Sequence, residues 1–321
     1  MSINLPEPEL AWLAGLVEQN ADQEVYLVGG AVRDILLGRP RRDYDLVVPN
    51  DPRPLARKIA RRLNGAWFIL DHERLTTRIV HPDHGKPERI IDIAAIQGGS
   101  LEADLHLRDF TVNALAVNLR QPHELIDPCG GVHDLNQKIL RLCSANSMQD
   151  DPIRILRGIR LAVELGYRMY PTAIAAMHPV IPRLAGMSPE RLRDEFFRML
   201  DNPQPSSALR VMKQLGILAT LMPELDILSD QAQGPPHVWN VWDHTLAAME
   251  ILESLLTYLS NDYPADGAGN LWLGLAVAAL SRYRSGINEV LETSLNPFPT
   301  LVVVLRHVAA RFWKTGGLLR G

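Results

Sequence analysis

Two cysteines in 321 residues, Cys129 and Cys143, provide neither a disulfide framework nor a metal-binding spacing. Long apolar runs are scarce too, and the longest, Leu271–Leu280, is too short to span a bilayer. No basic segment leads into an apolar one at the N-terminus, so no secretory signal is visible. These absences make a cytoplasmic protein the expectation, with no membrane contact and no evident protein partner. An excess of positive charge is also missing: 33 Lys and Arg against 37 Asp and Glu give a net charge of −4. Any contact with RNA therefore has to rest on a local basic surface. What is present is ordinary for a globular chain, 46% hydrophobic and 22% charged residues, with length for two or three domains.

The chain is organised around Val25–Val48, which reads as strand, Gly-Gly turn, short helix, basic turn and second strand. On the second strand Asp43 and Asp45 are two residues apart, so their carboxylates share a face. Two like charges held together need something positive between them. A divalent cation is the natural candidate, and Mg²⁺ favours carboxylate oxygen plus substrate phosphate. An Asp-x-Asp alone also describes two solvated acids at a strand end. The upstream half points to chemistry instead. Gly29-Gly30 permits a sharp bend and close approach to a ligand. The helix that follows offers N–H groups to an anion, and Arg33 adds a guanidinium suited to phosphate. A phosphate cradle beside a metal-binding carboxylate pair is the layout of a phosphoryl or nucleotidyl transferase.

Gly29-Gly30-Ala31-Val32-Arg33-Asp34 and Arg42-Asp43-Tyr44-Asp45 resemble the head of CCA-adding enzymes of the bacterial and eukaryotic type and of bacterial poly(A) polymerases, within the DNA polymerase β superfamily. The resemblance implies an α+β fold: a polymerase-β-like nucleotidyltransferase head with a mixed sheet and helices, then all-helical neck and body domains. The expected boundaries are 1–145 for the head, 146–202 for the neck and 203–321 for a tRNA-binding body with a reduced or truncated tail.

After an amphipathic opening helix and a second helix over Pro52–Leu63, three β-type runs follow, Ala66–Leu70, Thr76–Val80 and Arg89–Ile93. The cations of the second helix, Arg57, Lys58, Arg61 and Arg62, read as a solvated face. In the superfamily a strand at the position of the third run carries a third carboxylate, which makes Asp92 the candidate. Arg108-Asp-Phe-Thr-Val-Asn113 resembles the family's second motif, with Leu107 where an arginine is usual. A guanidinium at Arg108 suits a triphosphate, and a carboxylate at Asp109 can accept from ribose hydroxyls; Asn113 matches the motif. Asp127-Pro-Cys-Gly-Gly131 resembles a connecting turn, and both cysteines read as packing.

The second informative stretch is Asp150–Gly166. An Asp before Pro152 suits a helix start, with Ile153, Leu156, Ile159 and Val163 as the buried stripe. Asp151, Arg154 and Arg157 share the polar side, as ordinary helix salt bridges also would. Asp150-Asp151-Pro-Ile-Arg154 resembles the family's base-selecting motif. A carboxylate accepts from cytosine N4 or adenine N6, and a guanidinium donates to cytosine N3 or adenine N1. Guanine and uracil leave those groups unpaired, at about 1–3 kcal/mol per lost contact.

Beyond a neck helix starting at Ser188-Pro189 the pattern is helical, over Ala208–Leu218, Val241–Leu256 and Thr300–Trp313. His237 and His244 resemble the start of a metal-phosphohydrolase domain, but no later His-Asp pair completes it, so no hydrolase is expected. Between Asp92 and Asp104 lie only eleven residues. Relatives that add complete CCA have a longer flexible loop there; the short segment resembles the CC-adding kind. The resemblance therefore implies transfer of C from CTP to the 3′ end of tRNA. Asp43 and Asp45, with Asp92, would hold two Mg²⁺ about 3.5–4 Å apart. Gly29, Gly30, Arg33 and Arg108 would cradle the triphosphate, Asp109 the ribose, and Asp151 with Arg154 the base. Complete CCA addition with ATP as well, poly(A) synthesis, and a non-catalytic tRNA-binding protein are the alternatives.

Overall fold

Val25–Val28 supplies strand β1 (Tyr26–Val28), and the Asp-x-Asp run is strand β2 (Asp43–Val48). The computed structural model describes residues 8–39, 43–72, 75–81, 89–121, 124–231 and 238–259. Arg42, His237 and the helix expected over Thr300–Trp313 lie outside them. The described residues fall into two units, one within Met1–Asp150 and Arg168–Ala176, the other within Asp151–Tyr167 and from Met177 on.

In the first unit the three β-type runs are β3 (Ala66–Asp71), β4 (Thr76–His81) and β5 (Arg89–Ala95), each slightly longer than its apolar core. With β6 (Ala116–Asn118) and β7 (Leu125–Ile126) they make a seven-stranded sheet, ordered β3-β4-β5-β2-β1-β6-β7. Within this sheet β2 and β5 run parallel and the other neighbours antiparallel, so it is mixed as expected.

Period-two alternation divides β2 between two environments. Tyr44, Leu46 and Val48 are buried on one face. Helices α1 (Pro8–Asn20) and α3 (Arg53–Leu63) belong to that side. The Trp12 ring of α1 lies 6.0 Å from that of Tyr44. Leu55, Ala56, Ile59 and Ala60 form the buried stripe of α3, which packs on β3 and β4. Burial of Leu55 and Ile59 contributes about 1.5–3 kcal/mol each. On the opposite face Val47 packs with Val28, Ala114, Ala116 and Leu105 of α4 (Leu101–His106). Asp43 and Asp45, earlier on the same face, stay exposed.

Helix α2 (Gly30–Leu36) follows β1, and Gly38 (φ 62°) ends it. Its seven residues are under two turns, so its dipole contributes little to an anion site. Helix α5 (Gly131–Gln137) is held by Asp127, whose carboxylate oxygens accept from the N–H groups of Gly131 (2.7 Å) and Val132 (3.0 Å). A Cβ at Gly131 would sit 2.2 Å from the Thr111 carbonyl oxygen, so that glycine serves close packing. A two-stranded parallel pair, β8 (Ile139–Leu140) with β9 (Arg168–Met169), and helices α6 (Ser147–Asp150) and α8 (Pro171–Met177) complete these elements.

The second unit is helical among the described residues. It contains α7 (Arg154–Leu165), α9 (Pro189–Leu200), α10 (Pro205–Gln214), α11 (Ile217–Leu221), α12 (Pro223–Asp226) and α13 (Val241–Leu259). Two expectations are corrected. α7 begins after Ile153 rather than at Pro152, so the aspartate before the proline is not its cap. The helix expected over Ala208–Leu218 is two helices, divided where Gly216 takes a left-handed φ of 73°. No helix among the described residues is long and apolar enough to cross a membrane.

Candidate active site

Sheet register assembles three acids. Asp43 and Asp45 point from the same face of β2, and Asp45 is in direct register with Asp92 on the parallel strand β5. Asp45 lies in a concave part of the surface, open to solvent yet surrounded by protein. That burial pushes its carboxyl above the usual range. Arg108 opposes the shift, Asp92 and Asp43 add to it, and Arg78 opposes it more weakly. Among the described residues no donor hydrogen-bonds to Asp43 or Asp45. An exposed carboxylate pair that no donor satisfies is a donor set that suits a divalent cation, and two carboxylates plus substrate phosphate suit Mg²⁺ in particular. The described residues contain no group of three His, Cys, Asp or Glu side chains disposed to hold a metal.

Asp92 is engaged differently. Its Oδ1 accepts from Arg78 Nε at 2.8 Å and its Oδ2 from Arg78 Nη2 at 2.7 Å, a bidentate pair across neighbouring strands. Those hydrogen bonds, with the charges of Asp43 and Asp45, hold Arg78 firmly protonated against the effect of burial. The sequence reading missed Arg78. Its partner is fourteen residues away, and only the antiparallel register of β4 with β5 brings them opposite.

Gly29 forms the floor beside the acids. Its φ of 78° with ψ of −144° lies where only glycine is comfortable. A Cβ there would stand 3.1 Å from Arg108 Nη1 and 3.5 Å from Asp45 Oδ2. Gly29→Ala is expected to reduce turnover about tenfold or more, because backbone strain of about 1–3 kcal/mol combines with a displaced Arg108. Steady-state transfer kinetics on the folded variant check this, and wild-type kinetics would contradict it.

Arg108 is aimed by Asp104. Its Nε and Nη2 donate to Asp104 Oδ2 at 3.2 and 3.0 Å, while Asp104 Oδ1 accepts from the Gln97 amide at 2.9 Å. Asp104 is a positioning residue the sequence reading passed over, although its spacing of four residues from Arg108 was a usable signal.

Arg33 is placed otherwise than a phosphate contact would require. The side chain is buried; its Nε donates to Asp34 at 2.8 Å and its Nη1 to Asn113 Oδ1 at 2.6 Å. Asn113 Nδ2 donates in turn to Asp109 Oδ1 at 3.1 Å, and the Phe110 amide donates to the same oxygen at 2.7 Å. Arg33 and Asn113 thus orient Asp109 from within. A Cβ at Gly30 would be 3.4 Å from Arg33 Nη2, so this glycine lets the guanidinium pass under the turn. Cys129 and Cys143 pack against the core next to α4, and burial raises both thiols, as inert packing groups require.

In the second unit Asp151, expected to read the base, and Arg157 of the same polar side are tied to α9. Asp151 Oδ2 accepts from Arg191 Nη2 at 2.7 Å. Arg157 Nε donates to Glu195 at 3.1 Å, and Arg160 Nε donates to the other oxygen of Glu195 at 3.1 Å. Glu195 is buried, a feature that the sequence of the neck helix did not announce. Arg154 is half-buried on the first turn of α7.

Residues 25–97 and 74–141 match the family described as the poly A polymerase head domain. Residues 166–228 match the one described as the probable RNA and SrmB-binding site of polymerase A. The CCA-adding enzyme of Coxiella burnetii is 31% identical over 300 residues, covering 88% of this chain and 78% of that protein. The chain belongs to the tRNA nucleotidyltransferase and poly(A) polymerase family. Within it, the CC-adding tRNA nucleotidyltransferase of Geobacter sulfurreducens is 41% identical over 209 residues, 65% of this chain and 48% of that protein. The A-adding tRNA nucleotidyltransferase of Deinococcus radiodurans is 38% identical over 236 residues, 72% of this chain and 52% of that protein. The chain thus spans about half the length of these two relatives. A solved complex of a CCA-adding enzyme with CTP matches with a TM-score of 0.61 at 25% identity, covering 89% of this chain and 72% of that one. The family's fold, a polymerase-β-like head with a mixed sheet followed by helices, is the fold of this member.

Proposed function

We propose that the chain is a template-independent RNA nucleotidyltransferase of the cytoplasm that adds C residues, as CC, from CTP to the 3′ end of tRNA. The observation that carries this reading is the pair Asp43 and Asp45, without a hydrogen-bond donor among the described residues and bordered by Gly29 and by an Arg108 already aimed by Asp104. Asp43 and Asp45 would hold Mg²⁺, whose chemistry when bound is to activate the RNA 3′-hydroxyl and stabilise the leaving pyrophosphate. Arg108 meets the triphosphate with its charge, and the bare Gly29 lets phosphate oxygens approach the backbone. Asp109, fixed by Asn113 and through it by Arg33, accepts from the ribose. Asp92, gripped by Arg78, supplies negative charge beside Asp45 and keeps the guanidinium directed along the acid row. Asp151 and Arg154 present the acceptor and donor that match cytosine.

The restriction to C is supported by the connection from β5 to α4. β5 runs to Ala95, Gly98 (φ 72°) and Gly99 (φ 85°) turn the chain, and Ser100 caps α4 by accepting from the Ala103 amide at 3.1 Å. Strand, turn and helix use up the whole segment, which leaves no long loop. The likeness to the Deinococcus A-adding relative is the observation that favours transfer of A instead. Arg154→Ala is expected to erode the preference for CTP over UTP by about tenfold, roughly the value of one lost hydrogen bond to a charged group. Competition between labelled CTP and UTP in tRNA extension measures it. An unchanged ratio at reduced overall rate would remove Arg154 from base selection.

A further inference from the structure

On the exposed side of α3 stand Arg57, Lys58, Arg61 and Arg62, a concentration of positive charge in a chain of net charge −4. Lys58 pairs with Asp22 at 3.0 Å. Among the described residues no carboxylate pairs with Arg57, Arg61 or Arg62. The Arg57 guanidinium lies instead over the ring of Trp67 on β3, 5.5 Å from its centroid. Both residues line a concave pocket of about 490 Å³ with Ala60, Arg61, Asn64 and Gly65. The backbone shapes it: Asn64 ends α3 in a left-handed conformation (φ 50°), and Gly65 passes so near β4 that a Cβ would sit 2.7 Å from the Val80 carbonyl oxygen. Cations without counter-charges beside a partly exposed aromatic ring are the elements of single-stranded nucleic-acid contact, phosphate on guanidinium and base on ring.

The sheet connects this patch with the acids. Asp45 is in register with Asp92, Asp92 with Arg78, and Arg78 with Phe68. The row therefore ends on the edge strand β3, where Phe68 and Leu70 are 46% and 48% exposed. Three strand spacings, about 14 Å, separate β2 from that edge. Trp67, beside Phe68, turns to the other face, where α3 lies. A strand of RNA leaving the acids along this row would cross exposed apolar side chains and then meet the basic pocket.

We propose that α3 and β3 form a second RNA-contact surface, in which Arg57 and Arg61 bind phosphodiesters and Trp67 takes a base. The proposal rests on the transferase reading only in choosing RNA as the ligand. Its test is nucleotide-free: a fluorescein-labelled tRNA transcript is titrated with wild type and with Arg57→Glu/Arg61→Glu over a series of salt concentrations. Affinity is expected to fall about tenfold, and the slope of log K against log salt by about 2, one per lost phosphate contact. Turnover at saturating RNA should remain that of wild type. Trp67→Leu should weaken binding without changing the salt slope. Wild-type affinity and slope in a double variant that melts normally would overturn the proposal. So would a loss confined to a parallel titration with inorganic tripolyphosphate, which would mark a free-polyphosphate site. Arg57→Gln/Arg61→Gln carries the same expectation at smaller amplitude should the charge reversal unfold α3. With no nucleotide present, RNA contact is read whether or not the chain transfers CMP.

Discussion

Replacing Asp45 by Asn is expected to abolish nucleotidyl transfer while raising the melting temperature of the metal-free protein. The loss should be at least about a thousandfold, since several kcal/mol of charge stabilisation at the reacting phosphate disappears with a metal ligand. The gain in stability comes from electrostatics that folding imposes. Burial raises the Asp45 carboxyl, with Asp92 and Asp43 adding to the shift and Arg108 and Arg78 only partly offsetting it. A carboxyl raised in the folded state costs stability once pH exceeds its unfolded value of about 3.9, and the cost is complete above the folded value. Asn removes that cost. The variant should therefore melt higher than wild type at pH 7 in EDTA, each 1 kcal/mol recovered being worth about 2–4 °C in a domain of this size. The gap should close below about pH 4, where wild-type Asp45 is neutral in both states. Added Mg²⁺ should raise the wild-type melting temperature and leave the variant's unchanged. A variant less stable than wild type in EDTA, or equally stabilised by Mg²⁺, would contradict this account of the acids.

Glu195→Ala should have the largest effect on stability, a loss of about 3–5 kcal/mol, because it leaves two guanidinium groups facing a buried, unoccupied position. Glu195 is 5% exposed and receives both Arg157 and Arg160. Burial works to raise its carboxyl, but the charges and hydrogen bonds of Arg160 and Arg157 outweigh burial and hold it below the usual range. The sign is therefore opposite to that of Asp45. The wild-type advantage is complete above the unfolded value of about 4.3 and is lost as pH falls through the depressed folded value. Chemical denaturation of wild type and variant at neutral and strongly acidic pH measures it. Equal midpoints at neutral pH would show that the network contributes nothing.

Much of the head was legible because its signals are local. Alternation in Asp43–Val48 placed both acids on one face, and Gly29-Gly30 announced a turn that only glycine can make. The helix over residues 53–63 followed from its apolar spacing. What was hidden depends on pairing at a distance. Arg78 meets Asp92 through strand register, and Arg33 turns inward because Asn113, eighty residues on, accepts its hydrogen bond. Arg191 reaches Asp151, and Glu195 collects Arg157 and Arg160, only because α7 and α9 pack together. The break at Gly216 was visible in principle, as a glycine near the end of a helical pattern, but apolar periodicity continued across it.

Product length shows directly whether the protein transfers C to RNA. The protein with Mg²⁺ is given tRNA ending at the discriminator base, or at CC, with CTP and ATP supplied singly and together. The expected result is two added C residues from CTP, no further growth when ATP is present, and no extension of tRNA ending in CC. Efficient addition of A to tRNA ending in CC would contradict it.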